Sequence, residues 1–482
     1  MPRSNQIAIA LSIIAVGLRL VAINQPFVDK WSWRESDVAS ITQNFYKSGF
    51  HFARPQIDWA GNEPGYVGTE FPILPFVAAL SYKFVGTHEW VGRVQAVILF
   101  ALSLPCFFLL VRRAFNSTAA VWALFFYAFA PLNLFAGREF MPDVPSLALA
   151  LAGLYFFERW ITDQSRKFFW TSALSISLAL LIKLPSILIG APIACLLVQR
   201  FGFAGFRHAK VWIFAAVTLA PSAIWYWHAN MIARQFYPHH FFGAGGIQIM
   251  SAAWYVTIAK ETTAGLTPIL LALGISGLFL NFRAAIFRWW LAAMLLFIVI
   301  VGYGNRHNWY QLPLVPIIAA FAGGTCAVLG DRILQRPLRI TFAILLIVSF
   351  GVLSFVRLKL LYDPIFLPLR DLGLELKRVT PENALVVAAD NGDPIIFYYS
   401  ERKGWHFPES DAIFVGDPYD SEQAIRNLKQ LQGQGAAYFV LTAHTRWWLD
   451  YYREFAQYLA DHATLMESTS EYQIYRLNPA PE

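Results

Sequence analysis

The stretch GRVQAVILFALSLPCFFLLVRR, residues 92–113, is an apolar run closed by two arginines. Its length of roughly 20 residues matches the hydrocarbon thickness of a bilayer. Arginines beside such a run are typical of the cytoplasmic end of a transmembrane helix. The stretch therefore predicts a membrane-spanning helix that begins outside the cytoplasm and ends at Arg112-Arg113.

Composition extends this prediction to the whole chain of 482 residues. Hydrophobic residues make up 57% and charged residues 14%, and the mean hydropathy is +0.45, whereas a soluble protein carries about 25% charged residues. The net charge of +7 lies in short clusters between apolar runs, which excludes nucleic acid as a partner. Cys106, Cys195 and Cys326 form no CxxC pair, so no disulfide framework or thiolate metal site is indicated.

Apolar runs recur through the first 360 residues and predict about eleven transmembrane helices, the first one a retained N-terminal helix rather than a cleaved signal peptide. The predicted spans are 7–24, 92–111, 118–136, 144–160, 168–182, 186–199, 211–228, 266–281, 289–303, 309–329 and 339–356.

The basic loops determine the predicted orientation. They are Arg112-Arg113, 159–167, 200–210, 283–288 and 332–339. The positive-inside rule places them in the cytoplasm. The opposite face then receives the loop 25–91, Asp143, Lys183, the loop 229–265, the turn 304–308 and the C-terminal region. The short pair of spans around Lys183 could instead be one broken helix, which would invert the topology downstream.

The apolar stretch Phe71–Val85 is short for a span and lies between Glu70 and Glu89. We predict a helix lying at the membrane interface, because this preserves the charge rule. Counting it as a span would place Arg112-Arg113 outside and Asp143 inside.

After about residue 361 the pattern changes to that of a small α/β domain. The predicted elements are a buried strand 384–389, a helix 421–432, a strand 437–442, an amphipathic helix 446–462 and an edge strand 471–477. The predicted domains are therefore a transmembrane domain, 1–360, which includes interfacial helices in the outer loop 25–91, and an extracytoplasmic α/β domain, 361–482.

Two acidic clusters lie on the predicted outer face. In the first, Trp31–Asp37, a carboxylate beside aromatic residues suits a general base that acts on an amphiphilic substrate. The alternative is a helix that begins at Ser36 or Asp37, with tryptophans as interface anchors. In the second, Arg138–Asp143, charges near the membrane core indicate function, although Asp143 could simply cap the next helix.

Cations on the same face suit phosphate binding. Lys183 lies between two short helices, and Arg306 opens the segment Arg306-His307-Asn308-Trp309-Tyr310. The alternative for each cation is that its side chain only extends to the lipid headgroups. The adjacent His239 and His240 cannot easily share one metal ion, so we expect no metal centre there.

These motifs together resemble the GT-C superfamily of membrane glycosyltransferases, in the branch of protein O-mannosyltransferases and lipid A aminoarabinose transferase. The resemblance covers about 7–356 and rests on Trp33–Asp37 with Glu70-Phe71-Pro72, on Arg138–Asp143, and on Arg306–Pro313.

The resemblance implies Asp37 as the catalytic base and Asp143 as a second acidic residue that supports the catalytic site. Because Glu35 and Asp37 replace the usual Asp-Glu pair, Glu35 is the alternative base. Glu70-Phe71-Pro72 replaces a Lys-Pro-Pro segment, so one phosphate-binding lysine is missing. The implied substrate-binding residues are Arg34, Glu70, Arg138, Lys183, Arg306, His307 and Tyr310.

The predicted function is inverting transfer of a sugar from a polyprenyl phosphate to a hydroxyl of a lipid, glycan or protein in the cell envelope, without a cofactor or metal. The predicted place is the inner (plasma) membrane, among membrane lipids, with the active site facing the periplasm or exterior. A flippase or transporter of lipid-linked glycans would show repeats and midplane charges, which we do not find. An oligosaccharide ligase or polymerase would instead rely on Arg234, His239 and His240.

Overall fold

The computed structural model describes residues 2–237, 246–280, 284–330, 335–410 and 413–478. The helices of the first half of the chain are α1 (Arg3–Arg19), α2 (Ser32–Ser48), α3 (Ile73–Val85), α4 (Glu89–Ala114), α5 (Ser117–Phe129), α6 (Pro131–Ala136), α7 (Asp143–Asp163), α8 (Arg166–Ile182), α9 (Gly190–Phe201) and α10 (Ala209–Gln235). Next come α11 (Ala252–Leu266), α12 (Pro268–Leu280), α13 (Ala285–Ile300), α14 (Leu314–Val328), α15 (Arg336–Leu361) and α16 (Leu367–Val379). Short 3₁₀ helices cover Leu184–Ile189, Phe203–Arg207, Tyr303–Asn305 and Asn308–Gln311.

The C-terminal segment mixes strands and helices. Its elements are β1 (Leu385–Ala389), α17 (Ile395–Ser400), β2 (Lys403–His406), β3 (Glu409–Ser410), β4 (Ile413–Phe414), α18 (Ser421–Gly433), β5 (Ala436–Thr442), α19 (Trp448–Tyr451), α20 (Arg453–His462), β6 (Ala463–Ser468) and β7 (Tyr472–Leu477).

The chain divides into two compact units. The helical unit comprises Met1–Ile23, Gly92–Trp227 and Ala244–Leu361, and the mixed unit comprises Asn24–Val91, His228–Gly243 and Tyr362–Glu482. The outer loop is thus part of the same unit as the C-terminal segment. The predicted boundary at residue 361 lies where the chain enters the mixed unit, and the predicted assignment of the two domains stays a prediction.

Each predicted span overlaps at least one helix of the structure, but the span predicted over 118–136 is divided into α5 and α6, because Pro131 cannot continue α5. Among the described residues, five helices are long and apolar enough to cross a membrane, and a sixth counts if α11 and α12, bent by 101°, form one span. The apolar helices α5, α13 and α14 are shorter, at 13 to 16 residues. The chain is therefore a helical membrane protein, and the count of about eleven spans stays a prediction.

The predicted break at Lys183 is present. Helix α8 ends at Ile182, because Lys183 is extended (φ −153°, ψ 109°) and the following segment begins a separate 3₁₀ helix. Leu184 precedes Pro185, whose ring disfavours the helical conformation of the residue before it. The helix is therefore interrupted at Lys183, and whether the segments on its two sides form one span or two stays a prediction.

Arg19 closes a second break in the helical unit. Pro131 has no N–H to continue α5, so carbonyls at the end of α5 need other donors. The fully buried Arg19 guanidinium donates to the carbonyl oxygens of Ala128 (3.1 Å) and Asn133 (2.9 Å), and it lies 3.4 Å from the centre of the Phe100 ring. In an apolar environment these carbonyls have no water to replace that donor.

Replacing Arg19 with Met should destabilise the helical unit by about 3 kcal/mol, because a buried carbonyl left without a donor costs about 1–3 kcal/mol. Thermal or denaturant unfolding of the purified protein in detergent measures this loss. Arg3→Met, at the exposed start of the same helix, is the control and should change stability little. Equal stability of the two variants would show that the Arg19 hydrogen bonds contribute nothing.

The C-terminal sheet has the strand order β2-β1-β5-β7-β6. β1 pairs in parallel with β2 and β5, whereas β7 pairs antiparallel with β5 and β6. The sheet core includes Val387, Phe439 and Trp448. The predicted strands at 384–389 and 437–442 and the predicted helix at 421–432 are found as β1, β5 and α18.

Two predictions for this segment are wrong. The helix expected over 446–462 is divided at Tyr452 into α19 and α20, because Tyr452 has a non-helical backbone (φ −95°, ψ 71°). The edge strand expected at 471–477 is the internal strand β7, since the unpredicted β6 covers its outer side.

The outer loop is fastened to the sheet region within the mixed unit. The Tyr399 hydroxyl accepts from the Phe27 N–H (2.8 Å) and donates to the Glu89 carboxylate (3.0 Å), so one side chain holds both ends of the loop. In the middle of the loop, the Gly404 N–H donates to the Asp58 carbonyl (2.9 Å), and the Gly61 N–H donates to the Gly404 carbonyl (2.7 Å). The loop conformation therefore depends on the C-terminal segment.

Candidate active site

Helix α2 carries the first acidic cluster. It begins at Ser32, whereas a capping role for Ser36 or Asp37 would require it to begin at one of those two residues. Asp29 shapes its start: the Asp29 carboxylate accepts from the Trp31 N–H (3.2 Å), and the Asp29 carbonyl accepts from the Ser32 hydroxyl (2.7 Å). Asp37 consequently lies in the second turn, and the capping alternative is wrong.

The tryptophans beside Asp37 have partners in the mixed unit. Trp31 is buried, and the Trp33 indole N–H donates to the Gly392 carbonyl (3.0 Å) in the loop after β1. Residues of the outer loop and of the sheet region therefore hold the start of α2 together. Trp33 is positioned by this hydrogen bond.

Arg34 connects two carboxylates. Its guanidinium forms an ion pair with Asp37, one turn further along α2, and it donates to both Glu70 oxygens at 2.8 and 2.9 Å. The Thr69 hydroxyl donates to the same Glu70 carboxylate (2.9 Å). A planar guanidinium held on two sides fixes the position of the Asp37 carboxylate.

The two candidate bases face different directions. Glu35 and Asp37 are both buried in α2, and two residues apart on an α-helix means about 200° of rotation. Asp37 is part of the Arg34 ion-pair network. The choice of Asp37 over Glu35 stays a prediction.

In the helical unit, Asp143 pairs with Lys183. The Lys183 ammonium lies 3.1 and 3.3 Å from the two Asp143 carboxylate oxygens and 4.9 Å from the centre of the Tyr310 ring. Asp143 is the first residue of α7, and its carboxylate is turned to Lys183. Lys183 is only 6% exposed, so it is a buried partner of Asp143 and not a snorkelling side chain.

Hydroxyl groups hold the helix break beside this ion pair. The Ser146 hydroxyl lies 2.6 Å from the Ser186 hydroxyl, and it donates to the Ala179 carbonyl (2.7 Å). These contacts join the first turn of α7 to the residues on both sides of Lys183. The ammonium is therefore held between two anchored segments.

Arg138 and Glu139 form a separate, fully buried ion pair (2.8 Å). Arg138 also donates to the Ala22 carbonyl at the end of the first helical segment (2.5 Å). These contacts anchor the segment before α7. A phosphate-binding role for Arg138 stays a prediction.

The segment after α13 presents the remaining predicted residues. The exposed Arg306 lies 4.6 Å from the centre of the Tyr303 ring. His307 stacks on Trp309 with ring centroids 4.2 Å apart, and Tyr310 faces Lys183. The structure thus brings Lys183, Asp143 and Tyr310 together in the helical unit. His239 and His240 lie outside the described residues.

Sequence reasoning missed several residues that shape these clusters. Thr69 and Asp29 support Glu70 and the start of α2, and Asp58 accepts hydrogen bonds from the Ser40 hydroxyl (2.8 Å) and the Asn44 amide (2.9 Å). Burial raises the pKa of Asp58 in spite of these hydrogen bonds. The spacing of Ser40 and Asn44, on one face of α2, was the available signal.

The fold is of the GT-C type, as its likeness to solved structures of ArnT and of an archaeal oligosaccharyltransferase shows. ArnT from Cupriavidus metallidurans in the apo state is 15% identical, with a TM-score of 0.69 over 98% of both chains. ArnT bound to undecaprenyl phosphate is 13% identical, with a TM-score of 0.66 over 98% of both chains. The Archaeoglobus fulgidus oligosaccharyltransferase is 15% identical, with a TM-score of 0.65 over 92% of this chain and 70% of that one.

The sequence itself gives a second, narrower likeness. Residues 66–227 match the family model described as dolichyl-phosphate-mannose-protein mannosyltransferase, and no curated protein sequence matches the chain significantly. The predicted resemblance to the GT-C superfamily, in the branch of ArnT and the protein mannosyltransferases, is confirmed. The fold and the family match together indicate a glycosyltransferase.

The Asp143–Lys183 contact should be strongly coupled, because removing one partner leaves a buried charge without compensation. Lys183→Met should lower the unfolding free energy by about 3 kcal/mol, and adding Asp143→Asn should recover most of that loss. Unfolding in detergent of the two single variants and the double variant measures the coupling.

The partly exposed pair Arg159–Asp163, on the same helix as Asp143, is the matched control. Its coupling should stay near 0.3–0.5 kcal/mol, as for surface pairs one helical turn apart. Additive effects of Lys183→Met and Asp143→Asn would contradict the role of the ion pair.

Proposed function

We propose that the chain transfers a sugar from a polyprenyl-phosphate donor to a hydroxyl acceptor on the extracytoplasmic face of the inner (plasma) membrane. The observation that carries this proposal is the buried Asp37 carboxylate held by Arg34, which Glu70 holds in turn. Supporting it, one relative was solved with undecaprenyl phosphate and another with dolichol phosphate and an inhibitory peptide. The acceptor class is a lipid, glycan or protein of the cell envelope.

Asp37 acts as the general base in this proposal. It takes the proton from the acceptor hydroxyl while that oxygen attacks the anomeric carbon. The bond from the anomeric carbon to the phosphate oxygen breaks, and its electron pair leaves with the polyprenyl phosphate. Attack from the side opposite the leaving group inverts the anomeric configuration. Arg34 and Glu70 are positioning residues, because a base displaced from the hydroxyl loses its effect.

Cations of the helical unit serve the leaving phosphate. Lys183 supplies a compact charge positioned by Asp143 and Tyr310, and the exposed Arg306 supplies a planar guanidinium beside His307. Such groups stabilise negative charge that grows in the transition state. Arg138, which is paired with Glu139, holds the segment before α7.

We further propose that the reaction needs no metal ion. The donor phosphate is neutralised by Lys183 and Arg306, and proton transfer is assigned to Asp37. One relative was solved in complex with zinc and sulfate, so metal dependence is a specific test. Activity that persists after EDTA treatment and is not raised by added zinc, magnesium or manganese agrees with the proposal.

Asp37→Asn should lower sugar transfer by about 10²- to 10⁴-fold, since the amide cannot accept the proton. Cells that produce this variant should accumulate the same polyprenyl-phosphate sugar as cells that lack the protein, as measured by mass spectrometry of extracted lipids. Asp371→Asn, an exposed site in the mixed unit, is the control and should restore consumption of the donor.

Glu35→Gln in the same assay separates the two candidate bases. If Glu35→Gln abolishes transfer while Asp37→Asn, folded and inserted, retains it, the base is Glu35. Undiminished transfer by both variants would show that neither carboxylate is the general base.

The orientation makes a separate prediction. A cysteine introduced at Ala204, in the basic loop 200–210, should be shielded from a membrane-impermeant maleimide in spheroplasts, and a cysteine at Asn383 should be labelled. Both positions are exposed, and the three native cysteines are replaced by alanine in both proteins. Lysis should make both sites reactive. Labelling at 204 before lysis would show that the positive-inside assignment is wrong.

A further inference from the structure

A cavity of about 340 Å³ lies within the mixed unit, between the second half of α2 and the C-terminal segment. This volume is within the range of about 300–1,000 Å³ that is usual for small-molecule sites. Almost all of its lining side chains are polar. The residues that argue for a ligand are Gln43, Asn44, Lys47, Asp58, Asn383 and Lys403.

The side chain of Gln43 is the strongest indication that the cavity binds a ligand. This side chain lines the cavity and is only 6% exposed, and within the described part of the chain its amide makes no hydrogen bond. The amide opens into the cavity, where water would be its hydrogen-bond partner. A bound group that both donates and accepts hydrogen bonds would replace that water.

The charges around the cavity are largely matched. Lys47 lies 2.5 Å from Glu401, and Glu401 also forms an ion pair with Lys377. Asp58 accepts from Ser40 and Asn44, and burial raises the pKa of Asp58, which disfavours its charged form. The lining therefore has no surplus of one sign that would select a phosphate or a divalent cation.

Amide groups provide most of the remaining recognition chemistry. Gln43 and Asn383 each offer a donor and an acceptor, as a sugar hydroxyl does. The amide nitrogen of Asn44 donates to Ser40 and Asp58, and that of Asn62 donates to Gln434, so these two side chains add mainly carbonyl acceptors. A peptide would need apolar pockets or an open strand edge, and the lining offers only Ala384 and Leu385 as apolar residues. The chemistry favours a polyhydroxylated ligand.

The position of the cavity relates it to the proposed base. Asp37 and Asn44 are seven residues apart on α2, so they share a face and are separated by about 10 Å along the helix axis. Ser40 lies between them on that face, is fully buried and donates to Asp58. The distance along the helix axis suits a part of the acceptor that is remote from the reacting hydroxyl.

We propose that this cavity is a subsite for a saccharide portion of the acceptor, so that the acceptor is a glycan or glycolipid. The inference rests on the proposed function, because only that function makes a saccharide bound in the cavity part of the acceptor. Binding of the remote sugar helps to hold the reacting hydroxyl near Asp37, which raises the effective concentration of the acceptor.

Cysteine protection tests occupancy of the cavity directly. Asn383→Cys, in the full-length protein without its three native cysteines, is alkylated with a maleimide in detergent. Glucose, N-acetylglucosamine and their β-1,4-linked disaccharides, each at millimolar concentration, are the probes. At least one disaccharide should slow the reaction several-fold. Glu454→Cys, an exposed site on α20, is the control and should react at one rate throughout.

Adding Gln43→Met to Asn383→Cys tests the amide. The substitution keeps the length of the side chain but removes its hydrogen bonds, so the protection should be lost, while the unfolding temperature stays within a few degrees. Retained protection would overturn the role of Gln43. Equal alkylation rates with and without every saccharide, or slowing by calcium or inorganic phosphate alone, would overturn the saccharide subsite.

Transfer assays separate this inference from the proposed function. If lipid analysis shows sugar transfer but no saccharide protects Asn383→Cys, the subsite fails and the function stands. If saccharides protect but no polyprenyl-phosphate sugar is consumed, the cavity binds sugar and its role as an acceptor subsite is refuted with the function.

Discussion

A charge removed from water must be compensated inside the protein, and this requirement organises both units. Removing a carboxylate or a guanidinium from water costs several kcal/mol unless an opposite charge and hydrogen bonds replace the solvent. Arg34 between Asp37 and Glu70, Arg138 beside Glu139, and Lys183 against Asp143 are three such solutions. Arg19 is a fourth, with backbone carbonyls in place of a carboxylate.

The same requirement fixes the geometry of the chemistry. An ion pair restricts two side chains at once, and two of these pairs join segments that are distant in sequence. Arg34 and Glu70 are separated by 36 positions, and Asp143 and Lys183 by 40. Side chains that are fixed in this way do not have to change position when a substrate binds. Preorganised groups of this kind are what transition-state stabilisation requires.

Sequence periodicity and charge were sufficient for much of the fold. Long apolar runs, the basic loops and the strands β1 and β5 could be located because each is a local pattern. The break at Lys183 could also be predicted, since Pro185 acts on its neighbour directly. Strand β6 was not predicted because it follows α20 without a turn signal. Without β6 in the predicted sheet, the internal strand β7 was taken for an edge strand.

Side-chain partners were not predictable in the same way. The sequence left Asp143 as either a helix cap or a functional carboxylate. Its ion pair with Lys183 could not be predicted, because the distance between the two residues exists only in the folded chain. The start of α2 was misplaced in the capping alternative for a related reason: Asp29, three residues before Ser32, holds the turn from which the helix begins. For Asp58 the spacing of Ser40 and Asn44 on α2 was the available signal, but it did not show which residue of the loop these side chains would bind.

The fastening of the outer loop by Tyr399 and Gly404 has a consequence for how this protein can be recombined with relatives. A Cβ at Gly404 would lie 1.7 Å from the Val386 carbonyl oxygen, so the pairing of β2 with β1 tolerates no larger residue there. The hydrogen bonds of Gly404 to Asp58 and Gly61 depend on that pairing. Exchange of residues 24–91 alone would separate that loop from the surface that shapes it. The loop and the C-terminal segment therefore have to be exchanged together, although residues of the helical unit separate them in sequence.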